Sequence, residues 1–201
     1  MTPRPSESDA PALWRDGWYA FARQQVSPNQ GPRPVGSAID LIVVHSISLP
    51  PGRYGGGEVQ QLFCNELDWN ADPYFKAIEG LKVSAHFFVR RHGELWQFVS
   101  CDERAWHAGE SSYRGRAGCN DDSIGIELEG FEGGSFEPAQ YEALAGLCAA
   151  IAQRYPVCHI AGHEHIAPGR KNDPGSGFDW PALQASLAWP AAYFPQLPHH
   201  G

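Results

Sequence analysis

The sequence predicts a single domain of the α/β (α+β) class, and three stretches carry that expectation. Ile39 to Val44 is a nearly continuous β-branched run, the pattern of a strand covered on both faces. From Ser123 to Gly130 the residues alternate, which puts Ile124, Ile126 and Leu128 on one strand face and Gly125, Glu127 and Glu129 on the other. From Pro138 to Tyr155, the residues Tyr141, Leu144, Cys148, Ile151 and Tyr155 recur at helical steps along one face. With 201 residues, 42% of them hydrophobic and 19% charged, the chain suits one loop-rich domain with a real core and not a helical bundle.

In order, residues 1–12 are polar and proline-rich and read as a flexible tail, the domain spans 13–188, and 189–201 form a second tail. Trp14–Phe21 is short and aromatic, suited to packing on the domain surface, and the prolines of Ser27–Ser37 make it an extended loop. The strand Ile39–His45 ends at a histidine, and the carboxyl ends of strands in open sheets form the usual ligand crevice. Gly52–Gly57 is glycine-rich, but no Lys-Ser/Thr pair follows, so it is not read as a phosphate loop. Glu58–Leu67 reads as a short helix and Asp68–Gly80 as irregular. Val83–Val89 and Leu95–Val99 form a hairpin about the turn at Arg91–Glu94. Ala105–Gly109 reads as a strand edge and Glu110–Asn120 as a surface loop. Pro138 suits a first helical position and Pro156 ends that helix. His159–Gly162 is a strand delivering His163, Phe178–Leu187 is a helix with Asp179 as N-cap, and the last dozen residues, with three prolines, are expected to fray.

Composition narrows the function. A net charge of −8 lacks the positive face that non-specific nucleic-acid binding needs. No stretch approaches the roughly 18 apolar residues of a membrane span. MTPRPSESDAPALW has no charged start followed by an apolar run, so no secretory leader is read and a cytoplasmic location is expected. The five cysteines, Cys64, Cys101, Cys119, Cys148 and Cys158, form no C-x-x-C pair and read as reduced structural thiols. Cys158-His159 offers no nucleophile–base pair, because neighbours in a strand point to opposite faces.

Of the nine histidines, His92, His199 and His200 read as surface residues, and His159 and His165 as structural. His45, His86, His107 and His163 each lie on or beside an apolar strand. A histidine in such a place is more often a hydrogen-bonded core residue than a ligand, but four of them beside an acidic strand face admit another account, convergence on a metal. Turn signals at Pro168-Gly169 and Pro174-Gly175 in AGHEHIAPGRKNDPG return Asp173 to the neighbourhood of His163. His45, His163 and Asp173 would then give two nitrogens and one oxygen, leaving one position of a tetrahedral zinc to water. Glu127 is placed to act as general base, and Lys171 to face a developing oxyanion. A solvated strand face and an ordinary loop charge are the plainer readings of these two.

The segments VVHSISLPPG, VSAHFFVRRHGE, RAWHAGESSYRGR, CNDDSIGIELEG and GHEHIAPGRKNDPGSGFDW, in this order, closely resemble the N-acetyl-anhydromuramyl-L-alanine amidases, zinc enzymes related to peptidoglycan recognition proteins. The resemblance runs from about Trp14 to Trp180. It implies a mixed central sheet flanked by helices, one Zn2+ per chain on His45, His163 and Asp173, Glu127 as the catalytic acid–base residue and Lys171 as its partner at the transition state. It further implies hydrolysis of anhydromuropeptides at the muramyl–L-alanine amide in cytoplasmic cell-wall recycling, which lowers the signals that induce β-lactamase. No nucleic-acid or membrane partner is expected, and the chain is expected to be a monomer. A non-catalytic muropeptide receptor is the alternative, but such relatives usually lack a zinc ligand. Ser46 stands where asparagine is common in the family, Lys82 where arginine is, and Gly118 where a second arginine can occur, with Arg114 or Arg116 as possible replacements. Ser46, Lys82, His86, Trp106 and Arg116 are the expected substrate contacts.

Overall fold

The structure, a computed structural model, describes residues 13–195, so the expected tail over 1–12, together with His199 and His200, lies outside the described residues. Six strands form the central sheet: β1 (Arg23–Gln24), β2 (Leu41–Ile47), β3 (Phe87–Val89), β4 (Leu95–Gln97), β5 (Ser123–Glu129) and β6 (His159–Gly162). Their spatial order is β6-β2-β5-β3-β4-β1. β6, β2, β5 and β3 run parallel, and β4 returns antiparallel to β3, so the sheet is mixed. The helices are α1 (Glu58–Phe63), α2 (Pro73–Ala77), α3 (Pro138–Arg154), α4 (His163–Ile166) and α5 (Trp180–Leu187).

Strand alternation sorts the sheet into two faces. Ile42, Val44, Ile124, Ile126 and Leu128 pack beneath α3 and α5 with Leu144, Leu147, Ile151 and Leu183. Each such side chain contributes about 1.5–3 kcal/mol when fully buried. The capping box of Glu137 and Gln140 starts α3. The Gln140 amide also donates to Val89 O at 3.3 Å and Glu129 O at 3.1 Å, tying the helix to two strands. On the other face, Leu41, Val43 and Ala161 meet Ala108 and Ile166, while Phe88 packs with Leu62, Phe63 and Phe75 of α1 and α2. His45 and Glu127 share this second face, directly opposite one another in the β2–β5 register.

Several local expectations need correction. α1 stops at Phe63, ahead of Asn65 with φ of 60°, and does not reach Leu67. The segment expected to be irregular contains α2, started by Asp72, whose side chain accepts from the Tyr74 amide, and by Pro73 at the first position. Trp14, by contrast, is partly buried and packs against the core as expected, meeting Phe87 and Tyr155 edge-on. Residues 189–195 do not fray as a tail. Ala191–Tyr193 form a 3-10 turn and Phe194 is buried, because aromatic area so close to the α3–α5 core is better covered than hydrated. Among the described residues no helix is long and apolar enough to cross a membrane.

Candidate metal centre and active-site cleft

Three strand and helix ends bring the chemistry together. His45 lies near the carboxyl end of β2. Gly162, the last residue of β6, sits opposite Val44, and α4 opens immediately with His163, so His163 arrives beside His45. The Glu164 amide donates to Asp173 O at 2.9 Å, which pins the returning loop. His45 Nδ1 lies 3.0 Å from His163 Nδ1 and 3.1 Å from Asp173 Oδ2, and His163 Nδ1 lies 3.2 Å from the same oxygen. All three residues are buried.

Three donors bound to one tetrahedral ion at 2.0–2.2 Å stand about 3.3–3.5 Å apart, so this triangle could hold a divalent metal after slight expansion. Its two nitrogens and one oxygen suit a borderline cation. The protonation states fit as well. Burial lowers the His45 pKa to about 4, against the pull of Asp173. Burial also pushes Asp173 upward, but the facing imidazoles of His163 and His45 outweigh it and hold the carboxyl well below its usual range. A neutral imidazole and an ionised carboxylate are the ligand forms a metal requires. His163 Nε2 donates to Ala108 O at 3.1 Å, which leaves its Nδ1 with the free lone pair. Arg170, which sequence reasoning missed because adjacency to Lys171 is its only local signal, donates to that same carbonyl at 2.7 Å.

Beside the triangle opens a cleft of about 470 Å³. Glu127, His163, Lys171 and Asp173 form its polar end, and Leu49, Leu62, Phe63, Ile78 and Leu81 form an apolar wall. Glu127 is 9% exposed, and its Oε2 is buried with no hydrogen-bond partner. Burial drives its carboxyl well above the ordinary glutamate range, Asp173 adds to the rise, and Lys171 opposes it. A carboxyl poised to exchange protons in a cleft is what general acid–base catalysis needs. Ser46 also lines the cleft, with a buried and unpartnered hydroxyl. None of the five free cysteines lines it, and burial pushes the Cys101 and Cys148 thiols up, away from nucleophilic character.

The structure thus gathers His45, His163, Asp173, Glu127, Lys171 and Ser46 in one place. Lys82 is exposed between the cleft residues Leu81 and Val83, and Trp106 is half-buried beside His107, which lines the cleft. Two expected substrate contacts are corrected. His86 is 0% exposed, and its ring nitrogens are taken by the Gly125 amide at 3.0 Å and Glu103 O at 3.1 Å, so it cannot meet a ligand. Arg116 pairs with Asp40 at 2.6 Å and Asp122 at 3.3 Å, just before the amino ends of β2 and β5 and so at the far end of the strands from the cleft. Arg114 is no replacement either, lying against His159 at the start of β6.

The chain matches the N-acetylmuramoyl-L-alanine amidase family over residues 35–176. It is 49% identical over 183 residues to the 1,6-anhydro-N-acetylmuramyl-L-alanine amidase AmpD of Citrobacter freundii, covering 90% of this chain and 97% of that protein. A crystal structure of a selenomethionine AmpD derivative aligns with a TM-score of 0.85 at 49% identity, over 88% of this chain and 99% of that one. The amidase AmiD of Escherichia coli, solved with anhydro-N-acetylmuramic acid-L-Ala-D-γ-Glu-L-Lys, aligns with a TM-score of 0.54 at 30% identity, over 77% of this chain and 60% of that one.

Proposed function

Because the chain belongs to the N-acetylmuramoyl-L-alanine amidase family, we propose that it hydrolyses the amide between the lactyl group of 1,6-anhydro-N-acetylmuramic acid and L-alanine, using one Zn2+ held by His45, His163 and Asp173. The observation that carries this reading is the triangle of donor atoms, 3.0–3.2 Å apart, beside the unpartnered Glu127 oxygen in the cleft. Zinc supplies Lewis acidity, acidifying a water and polarising the amide carbonyl. Glu127 takes the water's proton and returns it to the leaving nitrogen of L-alanine, and its raised pKa suits both transfers. Lys171 sets a positive charge against the oxygen where negative charge grows. The apolar wall excludes water from the cleft, which Ser46 also lines.

Lys82 and Trp106 hold the peptide at the rim in this reading, with the Lys82 ammonium meeting stem-peptide carboxylates. Lys82→Glu raises KM for anionic muropeptides with kcat little changed; an unchanged KM removes Lys82 from binding. The 1,6-anhydro substrate in the name of the Citrobacter freundii relative supports the anhydromuropeptide as substrate; a role in cytoplasmic wall recycling, and with it a damping of β-lactamase induction, follows by resemblance to the family. The test of the whole reading is metal analysis joined to mass spectrometry of anhydromuropeptide digests. Purified protein carries zinc and releases free stem peptide, chelation stops the release, and zinc restores it. Release that continues after complete chelation overturns the assignment.

A further inference from the structure

His45 has two ring nitrogens, and only Nδ1 faces His163 and Asp173. Its Nε2 lies 2.9 Å from His107 Nδ1. His107 Nε2 in turn lies 3.2 Å from Ser123 Oγ, and the Ser123 hydroxyl donates to the Cys119 carbonyl in a short hydrogen bond. The direction of every proton follows from that last contact. A carbonyl only accepts, so the single hydroxyl proton of Ser123 goes to Cys119. Ser123 Oγ must then accept from His107 Nε2–H. That leaves His107 Nδ1 as an acceptor, so His45 Nε2 carries the proton and His45 Nδ1 keeps its lone pair.

Two further features hold this arrangement in place. Asn120 Oδ1 accepts from the amides of His107 at 3.0 Å and Ala108 at 2.8 Å, clipping the dipeptide to the fold. The His107 ring lies against β5 at Gly125, where an added β-carbon would sit 2.4 Å from His107 Cγ. Consecutive residues therefore serve both imidazoles of the triangle: the His107 side chain bonds His45, and the Ala108 carbonyl bonds His163.

We propose that His107, anchored by Ser123 and seated on Gly125, is a positioning residue that locks His45 in its Nε2–H tautomer and so aims the Nδ1 lone pair at the metal. The proposal rests on the zinc reading above. Partners of this kind typically change metal affinity by about 10–100-fold.

The test measures the zinc dissociation constant by chelator competition, alongside imidazole 15N–1H correlation spectra of the zinc-loaded native protein. The native spectra place protons on Nε2 of both His45 and His107. His107→Phe, which keeps an aromatic ring but has no acceptor, weakens zinc by about 10–100-fold. His107→Asn, whose Oδ1 can take the place of Nδ1, regains most of that loss, and Ser123→Ala gives a smaller weakening. A native His107 protonated on Nδ1 overturns the proposal even if no variant folds. So does a His107→Phe protein with native zinc affinity, or an Asn variant as weak as the Phe one. Native protein that takes up no zinc at all sinks the metal reading itself, whereas native zinc uptake with indifferent variants sinks only the relay.

Discussion

His45 and His86 are alike by every coarse measure and opposite in use. Both are buried, at 1% and 0% exposure, and both belong to strands beside β5 or their lead-in. Burial drives both below the ordinary imidazole range, and Arg33 adds to the effect at His86. The difference lies in where the ring nitrogens go. His86 gives one nitrogen to the Gly125 amide and the other to the Glu103 carbonyl, with Arg33 Nη2 3.1 Å from that second nitrogen, so neither is left for a ligand. His45 gives one nitrogen to His107 and turns the other to an imidazole and a carboxylate. A buried histidine is therefore marked as a candidate ligand by the nitrogen its fold leaves over, not by its depth.

Removing Asp173 attacks the ligand side of this comparison most directly. Asp173→Ala loses bound zinc and falls to undetectable turnover, read by metal analysis and product release; retained metal would falsify the triangle. Glu127→Gln comes next, lowering kcat by about 10²–10⁴-fold while zinc content stays native. The same substitution has a signature in the metal-free protein. A carboxyl whose folded pKa is raised binds more protons folded than unfolded. Its favourable contribution is full below the ordinary glutamate value of about 4.3 and is lost as pH climbs toward the folded pKa. Metal-free Glu127→Gln therefore melts higher than metal-free native protein at pH 7 and lacks that decline in thermal scans across pH.

His86→Ala sharpens the structural side. It strands the buried Gly125 amide and lowers stability by about 1–3 kcal/mol in urea denaturation, with zinc content unchanged. Zinc loss in a protein that still folds would erase the distinction between the two histidines. Arg116→Ala is the mildest change. Arg116 itself is exposed, so water screens its ion pairs with the more covered Asp40 and Asp122 and they contribute about 0.2–1 kcal/mol; KM stays native and the midpoint barely moves.

Periodicity in the sequence reveals β2, β5 and α3 because each buries a regular apolar face that local spacing records. The motifs around His45, Glu127 and GRKND reveal the site because they resemble those of a known family. His86 is misread because its burial depends on Arg33 and the turn at Glu103, distant partners that no local pattern announces. Arg116 is misread because Asp40, 76 positions away, neutralises it. α2 was in principle readable, since Asp72-Pro73 is a helix start, but five residues leave too little periodicity to weigh against the surrounding irregular chain. The role of His107 follows only from the order of three hydrogen bonds, which requires coordinates.

The pairing of Glu127 with His45 across β2 and β5 has a consequence for how such an enzyme can diverge. Their separation is set by the lateral pitch of a sheet, about 4.8 Å, and not by any loop. A one-residue insertion in either strand would turn one of the two side chains toward α3, so the pair is inherited whole or lost whole. The apolar wall from Leu49 to Val83 sits on short helices and loops and is under no such constraint. Descendants of this scaffold are free to exchange the muropeptides they admit long before they can alter the bond they cut.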